Sequence, residues 1–176
     1  MSGTEYVFGY GSLIASRGGH LTELRDHERR WGVAMDNTRD LPGYKYYLGP
    51  DDTRPAVFVA FLDVAPAAGS SVSGVCTPVA AGLLPRLDAR ERNYERRDVT
   101  ALLHDPPGPT WAYVGSAAGR ERFARGAAEA RCVVAADYLR VVRDGCSVLG
   151  EREYDRAVAS LDPGALPVHP LRRVDL

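Results

Sequence analysis

Short apolar runs, closed off by Gly, Pro and Asp, occupy the front and middle of the chain. Tyr6–Phe8 comes first, then residues 56–64 (AVFVAFLDV), 72–79 (VSGVCTPV), 96–103 (RRDVTALL) and 111–114 (WAYV). Runs of this length, rich in β-branched and aromatic residues, predict strands. Toward the back the spacing changes. Residues 83–91, 120–131, 135–145 and 151–161 predict helices, the last stopped by Pro163. Strands before helices argue an α+β fold rather than repeated βαβ units. Residues 35–55 (MDNTRDLPGYKYYLGPDDTRP) read as a long polar and aromatic loop. Such a loop is either a lid or pocket wall, or a plain surface excursion, and the pattern does not choose.

A chain of 176 residues has the size of one domain, 1–176, with enough length to bury a core. A formal net charge of −1 recruits neither nucleic acid nor a membrane surface. The basic residues are arginines with the single exception of Lys45. Together with the many alanines this suggests the coding bias of a GC-rich, bacterial genome. Cys76, Cys132 and Cys146 match no metal or redox spacing, and a reduced cytoplasm is the expected compartment. The sequence shows neither a signal peptide nor an apolar run long enough to span a bilayer.

Candidate chemistry begins at residues 5–13, EYVFGYGSL. A strand-like half runs into two glycines, Gly9 and Gly11, around Tyr10. A dinucleotide fingerprint fails because Ile14 stands where the third glycine belongs. A phosphate-binding P-loop fails for want of Gly-Lys-Ser/Thr. A nucleophile elbow fails because Ser12 has Tyr10 and Ile14, not glycines, two places either side. Two readings survive: a tight turn that needs glycine for its backbone, or a nest of N–H groups that holds an anion such as a carboxylate.

The second stretch is residues 87–99, LDARERNYERRDV, a helix end leading into a strand. Glu91 falls on the last turn, at the negative end of the helix dipole. A carboxyl there, if turned inward, is suited to general acid–base work. The plain alternative is one more solvated charge in a charged run.

Taken together, VFGYGSL (Val7–Leu13), LD-x-x-E (Leu87–Glu91) and the tyrosine after it resemble the γ-glutamylcyclotransferase family. AVFVAFLDV and SVSGVCTPV resemble the strands before the family's catalytic helix, and WAYVGS a later pocket strand. ADYLRVVRDGCSVLGEREYDRAV resembles its C-terminal helical piece, with Tyr138 at the family's tyrosine. Two positions depart from the pattern. Ala135-Ala136 replaces Pro-Ser, and Arg92 stands where a glycine usually follows the glutamate, which puts the pocket mouth and the choice of substrate in question.

The resemblance implies a small mixed β-barrel packed with helices. It implies cleavage of a γ-glutamyl amide by the substrate's own α-amine, releasing 5-oxoproline and a free amine or amino acid. No metal or organic cofactor is implied. By position Glu91 is the acid–base residue, and Gly9, Tyr10, Gly11, Ser12 and Leu13 form the cup for the γ-glutamyl head group. Tyr113 matches a pocket tyrosine, Tyr94 is a weaker candidate, and Tyr138 reads as core or pocket rim. The expected partner is a small γ-glutamyl substrate, with monomer and dimer both open. Two other readings stand beside this one: a binding module of the same fold without catalysis, and a cyclotransferase that unmasks a γ-glutamylated biosynthetic intermediate.

Overall fold

In chain order the elements are β1 (Glu5–Gly9), β2 (His20–Asp36), β3 (Lys45–Leu48), β4 (Phe58–Val79), α1 (Leu84–Arg90), β5 (Tyr94–Asp98), β6 (Thr110–Gly115), α2 (Ala117–Ala128), β7 (Cys132–Ala135), α3 (Ala136–Gly145), α4 (Glu151–Ala159), β8 (Val168–His169) and β9 (Arg172–Asp175). They come from a computed structural model that describes residues 4–15, 19–80 and 82–176. Seven strands form a mixed sheet ordered β5-β6-β1-β4-β7-β8, with β2 on the other edge of β4. Helices pack against it, as the α+β expectation requires. No pairing of β5 with β8 closes that path into a ring among the described residues.

The backbone of the fold is the β2–β4 ribbon. The two apolar runs at 56–64 and 72–79 are not separate strands: they are the ends of one strand, β4, continuous through Pro66 and Gly69. Its partner β2 was not predicted, because residues 23–30 (ELRDHERR) are almost all polar. Pairing explains it. The two strands run antiparallel from His20↔Cys76 to Asp36↔Phe58, with irregularities between Arg25 and His27 and between Trp31 and Val33. Asp26, at φ 53°, sits in the first irregularity and accepts the Gly69 N–H at 2.9 Å. Asp tolerates that left-handed backbone better than most residues.

Other differences are local. The run at 96–103 becomes β5 followed by a 3₁₀ turn at Thr100–Leu102. The helix expected at 120–131 begins and ends earlier. Ser116 caps its N-terminus by accepting the Gly119 N–H, and Cys132 already belongs to β7. The stretch 35–55 is anchored, not floating. It contains β3, paired with β9, and buries Tyr44 and Tyr47. The buried Asn37 holds both sides of it, donating to Tyr47 O and Pro55 O at 3.0 Å and accepting from Tyr47 N at 2.8 Å.

Candidate active site

β1 and β4 meet where the sequence has glycine on both strands. Gly9 pairs with Val75, and a Cβ on Gly74 would come within 2.5 Å of Gly9 O and of the Phe8 ring. This contact lets β1 stop against β4 and turn into the 3₁₀ turn Ser12–Ala15. Neither Gly9 nor Gly11 adopts positive φ, so the turn does not need glycine for a left-handed backbone. The requirement is for space. A Cβ on Gly9 would lie 2.5 Å from the Leu13 carbonyl, and one on Gly11 would lie 3.3 Å from the Tyr138 hydroxyl.

Beside this turn opens a small cavity. It is lined by Tyr10, Gly11, Ser12 and Leu13 from the turn, by Glu91 after α1, and by Tyr94 and Tyr113 from β5 and β6. Phe8, Leu62 and Tyr138 complete it. Gly9 is not a lining residue; it supports the turn from behind. Arg92 is not one either. Its side chain is exposed, donates to Pro42 O at 2.8 Å and to Ala89 O at 3.2 Å, and faces a separate cleft with Arg39, Arg122 and Arg125. The Ala135-Ala136 departure leaves α3 starting at Ala136 without a side-chain cap.

Glu91 caps the C-terminus of α1, with its own N–H bonded to Leu87 O at 2.8 Å. Its side chain is only 15% exposed and turned into the cavity. Arg90 Nε pairs with Glu91 Oε1 at 3.1 Å. The chain then turns back so that Tyr94 N donates to Glu91 O at 3.0 Å, which puts Tyr94 on the same cavity.

Four tyrosines share that cavity, and three have their hydroxyl protons engaged. Tyr10 donates to Tyr113 O at 2.6 Å, Tyr94 to Leu62 O at 2.7 Å, and Tyr113 to Asp88 Oδ1 at 2.9 Å. Asp88 is in turn held by Arg96 at 3.2 Å. Tyr138 differs. Its oxygen accepts a long bond from Leu62 N at 3.4 Å, and among the described residues no acceptor takes its proton. Burial first, then nearby negative charge, holds Tyr10 and Tyr94 well above the ordinary phenol range, and burial likewise raises Tyr113 and Tyr138. All four are neutral donors at physiological pH. Tyr138 was read from sequence as core or rim; its place at the family's tyrosine was the signal that it faces the cavity.

A family model described as Gamma-glutamyl cyclotransferase, AIG2-like matches residues 7–139, a span that includes both the Gly-rich turn and Glu91. The chain belongs to that family. Its members' general activity, gamma-glutamyl cyclotransfer, is the function this membership supports. Similar solved structures carry the fold. A structure called Gamma-glutamyl cyclotransferase aligns at TM-score 0.55 and 12% identity, covering 92% of this chain and 89% of the other. The uncharacterized protein loc79017 from Homo sapiens aligns at TM-score 0.55 and 12% identity, with coverage of 96% and 91%. YkqA from Bacillus subtilis aligns at TM-score 0.57 and 13% identity over 95% of this chain. The chain spans 56% of YkqA's length. No curated protein matches the chain in sequence.

Proposed function

We propose that this family member releases 5-oxoproline from a γ-glutamyl amide, with Glu91 as the acid–base residue and the turn Tyr10–Leu13 as the head-group site. The observation that supports this best is the meeting of one inward carboxyl with main-chain donors in one small cavity. Among the described residues no backbone carbonyl or side chain accepts the N–H groups of Gly11, Ser12 or Leu13, so these donors are free for a ligand.

The reaction needs little beyond them. The substrate's α-nitrogen, relieved of a proton by the Glu91 carboxylate, attacks the γ-carbonyl carbon. A five-membered ring closes and the carbonyl oxygen becomes an oxyanion. Main-chain N–H groups stabilise that charge as it develops. Glu91, now protonated, delivers its proton to the leaving nitrogen, and the old C–N bond breaks. The ring nitrogen gives up a second proton by the same relay. In all the α-nitrogen loses two protons and the departing amine gains two, leaving as an ammonium ion. One carboxyl group serves both directions of transfer. Holding the two ends of the substrate together contributes on the order of 7–11 kcal/mol to lowering the barrier. Tyr138, with its free proton, is placed to donate to the same oxygen or to the α-carboxylate. Tyr94 and Tyr113 act as walls, since their protons are already committed.

Glu91→Gln is the direct test. The amide keeps the shape and can neither take nor give the proton, so the variant folds with an unchanged melting temperature and loses nearly all turnover. Turnover within a few-fold of the parent would remove Glu91 from the mechanism.

A further inference from the structure

Arg29, on β2, is 9% exposed. Its guanidinium donates Nε to Tyr10 O at 2.8 Å, Nη1 to Ser160 Oγ at 2.8 Å and Nη2 to Ser73 O at 2.9 Å. All three acceptors are neutral, and among the described residues no carboxylate forms an ion pair with it. A cation taken out of water without a counter-charge is costly, and replacing such groups by apolar ones of similar volume is often neutral or stabilising. Hydrogen bonding to these neutral acceptors needs no full charge, and the charge is set against the Gly-rich turn through Tyr10 O.

The peptide between Tyr10 and Gly11 is trans, like every peptide bond described. In a planar trans peptide the C=O and N–H point in opposite directions. The Tyr10 carbonyl points at Arg29, so the Gly11 N–H points away from it, and Gly11 lines the cavity. We propose that Arg29 is a positioning residue that polarises the Tyr10–Gly11 peptide from behind, making the Gly11 N–H a stronger and fixed donor to the charge that forms in the cavity. The proposal rests on the cyclotransferase reading above. Its physical basis is the strengthening of one hydrogen bond by another along a shared peptide in a low-dielectric setting. The bonds to Ser73 O on β4 and to Ser160 Oγ just after α4 hold the cation in place.

A brace and a polariser predict opposite signs at one amide. Base-catalysed hydrogen exchange at Gly11, followed by NMR, speeds up when a brace is lost, because the turn loosens. It slows when a polarising charge is lost, because the amide becomes less acidic. Arg29→Met removes the charge and every donor; Arg29→Gln keeps a donor and removes the charge. We expect Gly11 exchange to slow by ~10-fold or more in both variants. In the same variants kcat for 5-oxoproline release falls ~10-fold or more, with KM changed less, the scale of weakening an oxyanion donor. Arg29→Lys, which restores the charge, recovers part of kcat. Unchanged or faster Gly11 exchange overturns the proposal, as does a kcat that does not move. A parent protein that makes no 5-oxoproline sinks the cyclotransferase reading instead, while the exchange result still decides the role of Arg29.

Discussion

In the proposed reaction Glu91 moves a proton and Tyr138 offers one. The difference lies in their neighbours. Glu91 has Arg90 at 3.1 Å and an open cavity in front of it. Tyr138 is held edge-on against Phe61, with ring centroids 5.0 Å apart, and against Trp31 at 5.9 Å. This packing fixes its ring while its proton stays free. Tyr138→Phe therefore keeps the aromatic contacts and loses only the hydroxyl. Melting should change little, and kcat/KM should fall ~10-fold, the size of a hydrogen bond lost to a charged group. Steady-state kinetics beside a melting curve check this; an unchanged kcat/KM would return Tyr138 to the role of a wall.

At the scale of elements, the site depends on β1 ending where β4 permits it. Gly74 is the permissive residue: an added Cβ meets both Gly9 O and the Phe8 ring at 2.5 Å, and backbone at that distance cannot yield without a shift. Gly74→Ala should cost ~1–3 kcal/mol and raise KM by displacing the turn, although residue 74 touches no ligand. Denaturant unfolding and kinetics measure the two effects, and a variant of parental stability and KM would refute this coupling. Strand β1, helix α1 and the Trp111–Val114 strand were legible because their apolar runs are bounded by Gly, Pro or charge. The Gly-rich turn and Glu91 were legible as motifs. Strand β2 was not, because its middle is polar and only pairing with β4 makes it a strand. The unity of β4 was hidden by Pro66 and Gly69, which read as breaks. Tyr44 and Tyr47 looked like loop aromatics, and only β3–β9 pairing and the Asn37 bonds reveal them as core. Arg29 gave no signal at all, since one arginine among many shows neither burial nor partners in a sequence.

Across the whole molecule, buried ionisable groups set the response to alkali, and they pull in opposite directions. Burial raises the Cys76 and Cys132 thiols from their ordinary 9.0 to about 11. Between those values the unfolded chain has already released protons that the folded protein keeps, so stability falls as pH rises from 9 to 11. Lys45 does the reverse. It lies 4.3 Å from the Phe61 ring centroid, and burial, with Arg173 nearby, lowers it from 10.5 to about 8. From about 8 to 10.5 the unfolded chain holds the extra proton, so this residue's contribution to stability rises with pH. Burial raises the Cys146 thiol as well, and three thiols outweigh one amine. Under reducing conditions the melting temperature should drop above pH 9, and Lys45→Met should make the drop steeper; a shallower drop in that variant would contradict the assignment.

In the proposed reaction the cavity closes a ring on the substrate, using the substrate's own amine in place of water. The identity of the product distinguishes this from hydrolysis. The protein is incubated with a panel of γ-glutamyl amides (glutathione, γ-glutamyl amino acids and γ-glutamyl amines), and 5-oxoproline, glutamate and the freed amine are quantified by mass spectrometry. We expect 5-oxoproline and amine in equal amounts from at least one compound, with no glutamate beyond the uncatalysed background. Glutamate as the main product, or no turnover of any γ-glutamyl amide, would contradict it.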